Sequence, residues 1–316
     1  MEEKYTDRAA HRDCAWILRG IGVLMLLFGL GMAAIAPLEM YCFYLFADGG
    51  RFYYPGAGFG SFIFANIACQ IMGYYALAAL FIPLGYGHLR LRRWARTLTR
   101  AALWFWLILG PLLVVAAVIT LFAFKDLSLL ALLALIPTTI LIYPVAPGLL
   151  IGFYRSRDVR RTFEAHDPGI CWTETRPLPV LVLGLLFLFY LLILQAAILF
   201  NGIFPLFGTL LFGMPGIVAI DVAMLVLIAL TWGVLGQKRW AWWGAVLYFG
   251  LMTLSSAWAF SRYGLGDICA HMRFAPLELE AFAKIPFQGF RFAPLAVVPL
   301  LFTLGAIVYA RRCCTQ

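Results

Sequence analysis

Charge is what this sequence has least of. Only 12% of its 316 residues are Asp, Glu, Lys or Arg, against about 25% in a soluble globular protein. Hydrophobic residues make up 64% and the mean hydropathy is +0.91, which excludes a water-soluble fold, a disordered chain and a disulfide-rich miniprotein. The seven cysteines include no C-x-x-C pair, so neither a zinc ribbon nor a thioredoxin-type centre is indicated. No H-E-x-x-H and no Walker lysine motif occur, which removes a common membrane metalloprotease signature and an ATPase. The four histidines, His11, His88, His166 and His271, all fall outside the middle of any apolar run, so paired axial ligands for a membrane haem are missing. Gly56-Ala57-Gly58-Phe59-Gly60 is glycine-rich but has no lysine after it. No metal or cofactor is expected.

What is present is long apolar stretches, and a helix crosses a bilayer with about 20 such residues. Eight candidates lie near residues 20–38, 60–84, 101–124, 127–153, 177–200, 216–236, 240–260 and 293–310. The expectation is an all-α integral membrane bundle of about eight transmembrane helices. Between Arg176 and Asp221 lie 44 residues without a charge, about twice one crossing. Asn201-Gly202, Pro205 and Gly213-Met214-Pro215-Gly216 break this interval. The short piece 204–212 between the breaks lies at the interface or dips in as a re-entrant segment.

The net charge of +9 would suggest nucleic acid in a soluble domain, but here the basic residues cluster between spans, which is orientation by the positive-inside rule. With a cytoplasmic amino terminus, 18 Lys and Arg fall inside and 6 (Arg51, Lys125, Arg262, Arg273, Lys284 and Arg291) outside. Both termini are then cytoplasmic, in the cell (plasma or inner) membrane. The first span reads as retained, not as a cleaved signal, because the acidic flank Glu2, Glu3, Asp7 and Asp13 precedes it.

The chain also looks duplicated. Ile35-Ala36-Pro37-Leu38 matches Ile203-Phe204-Pro205-Leu206, Arg93-Trp94-Ala95 matches Arg239-Trp240-Ala241, and Tyr154-Arg155 near the fourth span's end matches Tyr309-Ala310-Arg311 near the eighth's. The order is the same in both halves. Two parallel four-helix repeats are expected, 1–172 with an enlarged outer loop at 41–59 and 173–316 with one at 261–292. Tryptophan and tyrosine beside arginine are also ordinary interface markers. Within the second loop, 277–285 reads as a short amphipathic helix lying on the leaflet.

Ionisable groups inside a membrane are the default functional candidates. Asp221 lies about five residues into the sixth span, roughly 7–8 Å below the outer interface, and Glu39 follows Pro37 at the outer end of the first. They read either as an outward-facing acidic pair or as helix-end carboxylates neutralised by Arg51 or Arg262. Asn66 and Gln70, four residues apart on one face of the second span, and Gln195 in the fifth read as a binding site or as interhelical glue. Thr253, Ser255 and Ser256 sit in the seventh span. The basic segments 89–100 and 154–161 orient the chain and attract anionic lipid. Cys313-Cys314 could carry acyl chains, and Cys42 and Cys269 share the outer side, leaving a disulfide open.

The segments GYGHLRLRRWARTLTRAALWFW (85–106), FYRSRDVRRTFEAHDP (153–168), NGIFPLFG (201–208) and WAWWG (240–244) resemble uncharacterised polytopic membrane proteins of bacteria. The resemblance implies a multi-span fold and assigns no catalytic residue. Together the features read as a non-enzymatic membrane protein that binds or passes a small solute or lipid between its halves. The rival readings are an accessory or scaffold subunit of a membrane complex, and a lipid-modifying enzyme using Asp221, Glu39 and His271. The partners expected are membrane lipid and other membrane subunits, not nucleic acid.

Overall fold

The structure is a computed structural model and describes residues 13–58, 60–123, 129–272, 274, 276–283 and 293–311. The expectations placed on Lys125, Arg273, Lys284, Arg291, Cys313 and Cys314 lie outside the described residues. The chain is 79% helical. In order, the helices are α1 (Ala15–Phe46), α2 (Phe62–Leu89), α3 (Arg93–Ala123), α4 (Leu129–Ile140), a π-helical turn (Leu141–Val145), α5 (Ala146–Arg155), α6 (Arg157–His166) and α7 (Leu178–Leu199). A hairpin of β1 (Phe204–Leu206) and β2 (Thr209–Leu211) follows. Then come α8 (Gly213–Leu235), α9 (Arg239–Arg262), α10 (Leu265–Cys269), α11 (Pro276–Ala283) and α12 (Ala293–Tyr309).

Among the described residues, six stretches are long and apolar enough to cross a membrane: α1, α2, the continuous run Ala134–Arg155, α7, α8 and α9. The 31 residues of α3 overlie the third expected span, and the 17 of α12 the eighth. Two features refine the expectation. The first helix runs on through Pro37 to Phe46, because one proline removes a single backbone donor and the apolar residues beyond it sustain the helix in lipid. Glu39 therefore stands within a helix. The piece 204–212 is an antiparallel hairpin pairing Phe204 with Leu211 and Leu206 with Thr209.

Phe207 and Gly208 at the hairpin's tip both have positive φ, 38° and 87°, the conformation that matches a two-residue turn to strand twist. The hairpin docks on α9 through Ser255. Its hydroxyl donates to the Pro205 carbonyl at 2.8 Å and accepts from the Phe207 N–H at 2.9 Å, pairing backbone groups that lipid would leave unsatisfied.

The α4–α5 run shows the same accounting. In the π turn the Ala146 N–H bonds the Leu141 carbonyl. The next residue, Pro147, has no N–H, so the Ile142 carbonyl lacks a backbone donor. The Trp106 indole of α3 donates to it at 3.4 Å while stacking on Tyr143.

The main core surrounds the first half of α7. Val180, Leu183, Leu186 and Phe187 pack with Leu227 and Leu230 of α8, Trp242 and Phe249 of α9 and Ile307 of α12. A second cluster joins Cys14 just before α1, Leu18 of α1, Leu91, Tyr154 and the apolar face of α6, Val159 and Phe163.

Two helix corners are built alike. The α2–α3 corner closes with the Arg92 N–H on the Gly87 carbonyl at 2.7 Å and Leu91 at φ 49°. The α8–α9 corner closes with the Lys238 N–H on the Gly233 carbonyl at 2.9 Å and Gln237 at φ 55°. In each the glycine is overlaid by the Trp-Ala pair that opens the next helix. A Cβ on Gly87 would meet Ala95 at 2.6 Å and the Trp94 ring at 2.9 Å, and one on Gly233 would meet Ala241 and the Trp240 ring.

Candidate functional site

The polar residues singled out in the sequence do not converge. Asn66, Gln70, Gln195 and Asp221 are exposed on outward helix faces, and Glu39 is half-exposed. None of the five lines any of the three cavities described below. Glu39 stands within hydrogen-bonding reach of the Tyr74 hydroxyl. Among the described residues neither Glu39 nor Asp221 forms an ion pair. Arg51 and Arg262 lie over aromatic rings instead, at 5.8 Å from the centroid of Phe52 and 5.4 Å from that of Trp258. Cys42 and Cys269 are both free thiols.

A cavity of about 600 Å³ lies between α7, α9 and α12, within the range of small-molecule sites. Phe189, Ile193 and Ala197 form one wall, Tyr248 and Met252 another, and Leu295, Ala296 and Pro299 a third. Ile203, Phe204 and Pro205, at and just before the hairpin, close one end, and Leu109 of α3 also reaches in. The lining is overwhelmingly apolar, and its few polar groups are largely occupied. The Thr303 hydroxyl donates to the Pro299 carbonyl at 2.9 Å, so Tyr190 donates to Thr303, at 2.8 Å. The Tyr248 hydroxyl donates to the Ala223 carbonyl at 3.4 Å. Ser256 is buried against the cavity. The cavity thus offers hydrocarbon contact along most of its wall.

A smaller cavity of about 330 Å³ is bounded by Ser61, Phe62, Phe200, Asn201 and His271. His271 stacks flat on Phe212 at 3.9 Å, its Nδ1 faces the Asp267 carbonyl at 2.8 Å, and its own carbonyl accepts from the Asn201 amide. Those contacts hold the His271 ring in place, and neither Asp221 nor Glu39 lies among the residues around it. A third cavity, also about 330 Å³, sits at the arginine-rich end, between α3, α7 and α12.

The sequence reading missed Tyr190, Tyr248 and the hairpin as a cavity end. Proline and glycine breaks at 201–216 marked a turn there, but nothing marked the tyrosines, which look like ordinary span residues. Among the described residues no group of three or more His, Cys, Asp or Glu is placed to hold a metal ion. No protein-family model, curated protein or solved structure matches the chain.

Proposed function

We propose that the protein is a non-enzymatic integral membrane protein that binds an apolar, lipid-type molecule in the α7–α9–α12 cavity. In this reading α3 and α12 join the six long apolar helices as an eight-span bundle of two parallel four-helix repeats. Both termini are cytoplasmic, in the plasma (inner) membrane. The matching Gly-to-Trp-Ala corners at Gly87 and Gly233 support the repeat, and the bias of Lys and Arg supports the orientation. The observation that carries the functional reading is the cavity wall itself. A space of about 600 Å³ with this lining favours a hydrocarbon occupant over a hydrated solute, because a polar solute would give up water without gaining partners.

The test is mass spectrometry of lipid retained by the purified protein. Ala197→Phe together with Ala296→Phe fills the cavity from two walls and should strip the bound molecule while leaving the protein monodisperse. Absence of any retained lipid, or equal retention by the filled variant, would reject the reading.

A scaffold role has one observation in its favour, the outward-facing Asn66, Gln70, Gln195 and Asp221. Polar groups facing hydrocarbon are costly, and a partner helix would satisfy them. Cysteine placed at Gln195 or Asp221 would then cross-link to another membrane subunit in intact membranes, and to nothing if those faces meet lipid.

A further inference from the structure

At the arginine-rich end of the molecule Arg100 is partly buried and has no acid of its own among the described residues. Glu174 pairs with Arg93 at 2.9 Å, Glu164 with Arg160 at 2.7 Å, and Asp167 with Arg92 at 3.5 Å. Asp167 also accepts the Arg93 backbone N–H at 3.2 Å, capping α3. None of these carboxylates forms an ion pair with Arg100. The charged groups acting on Arg100 are Arg155 and Arg160, and among the described residues its buried Nε has no hydrogen-bond partner. Arg96, one turn earlier and only 9% exposed, differs in having Glu164 and Glu174 as well as Arg100 and Arg160 acting on it. A guanidinium withdrawn from water among like charges is costly unless an anion joins it.

Arg100 and Arg155 stand together at the wall of the third cavity, of about 330 Å³, whose remaining lining is mainly apolar and includes Trp104, Ile108, Val182 and Leu183. The first cavity lies along the same α3–α7–α12 seam. Leu183 lines one and Phe189 the other, six residues or about 9 Å apart along α7.

We propose that Arg100 and Arg155 hold the phosphodiester headgroup of an anionic phospholipid, with its acyl chain along Ile108, Val182 and Leu183. The guanidinium fork suits phosphate oxygens, and the apolar wall assigns the phosphate to a lipid and not to a soluble anion. The site stands on its own residues, whatever occupies the α7–α9–α12 cavity.

Trp104 is a built-in reporter. The protein is placed in phosphatidylcholine nanodiscs containing either brominated phosphatidylglycerol or brominated phosphatidylcholine at equal mole fraction, and the Trp104→Phe variant isolates that residue's share of the quenching. Trp104 should be quenched preferentially by the anionic lipid. Arg155→Gln should reduce the preference about fivefold, and Arg100→Gln with Arg155→Gln should abolish it. Arg157→Gln, an exposed change outside the cavity, should leave it intact. Equal quenching by the two lipids, or a preference that survives the double variant, overturns the proposal. So does calorimetric binding of inorganic phosphate that disappears in the double variant without any lipid preference. If the double variant does not fold, Arg155→Gln alone decides, since Arg155 is exposed.

Discussion

His88 is the residue whose environment departs furthest from what its neighbours in the chain suggest. It follows Gly87 just before an arginine-rich turn, yet it is fully buried. Its Nδ1 lies 2.8 Å from the Leu84 carbonyl, so that nitrogen carries the proton. Its Nε2 then accepts from the Tyr154 hydroxyl at 2.8 Å, and Phe163 packs edge-on to the ring. Both nitrogens are satisfied with the ring neutral. Tyr154→Phe should therefore destabilise the folded protein by about 1–3 kcal/mol, because it strands one buried acceptor. Denaturation in detergent, compared with the surface change Tyr309→Phe, measures it. Trp106→Phe is the parallel case. It keeps the stack on Tyr143 but abandons the Ile142 carbonyl, at about 1 kcal/mol.

At the level of helices and turns, the two glycine corners make a paired prediction. Gly87→Ala and Gly233→Ala each push a methyl into the alanine and tryptophan that open the next helix, and should each cost about 1–3 kcal/mol. Ala95→Gly in the first variant and Ala241→Gly in the second should recover part of the loss. Unequal responses at the two corners would weaken the repeat. The Arg-Trp-Ala match was legible because arginine and tryptophan stand out against an aliphatic background. The glycine seven residues before the tryptophan was not, since glycine is common throughout the spans. The hairpin was hidden for a related reason. Phe204–Leu211 is too short to show a period, and its docking depends on Ser255, about fifty positions away in the chain.

For the molecule as a whole, the helical architecture and the approximate places of the six long apolar helices were legible from charge alone, although the first helix runs on past its expected end at residue 38 to Phe46. Uncharged runs of span length have few other physical explanations. On the orientation proposed above, reporter fusions after Arg161 should read cytoplasmic and fusions after Lys284 external, and the reverse pattern would invert the bundle. The cavities were not legible. A helix in water announces its buried face by contrast with a polar one, whereas in lipid both faces are apolar. A line such as Leu183, Phe189 and Ile193 therefore looks the same whether it meets a neighbour, a cavity or the bilayer. Polar residues were the natural candidates for that reason, and Asn66, Gln70, Gln195 and Asp221 sit on outer faces instead.

The segment between α6 and α7 touches both corners. Asp167 caps α3 at the first, while Arg176 donates to the side chain of Gln237 at the second, at 2.8 Å. Arg93, held by Glu174 from the same segment, completes a latch across one face of the bundle. Helices tied at one end can splay only at the other. On the lipid-binding reading proposed above, breathing that admits or releases the bound molecule would open beside the hairpin, and severing the latch with Asp167→Asn and Arg176→Gln should speed amide exchange at both corners together.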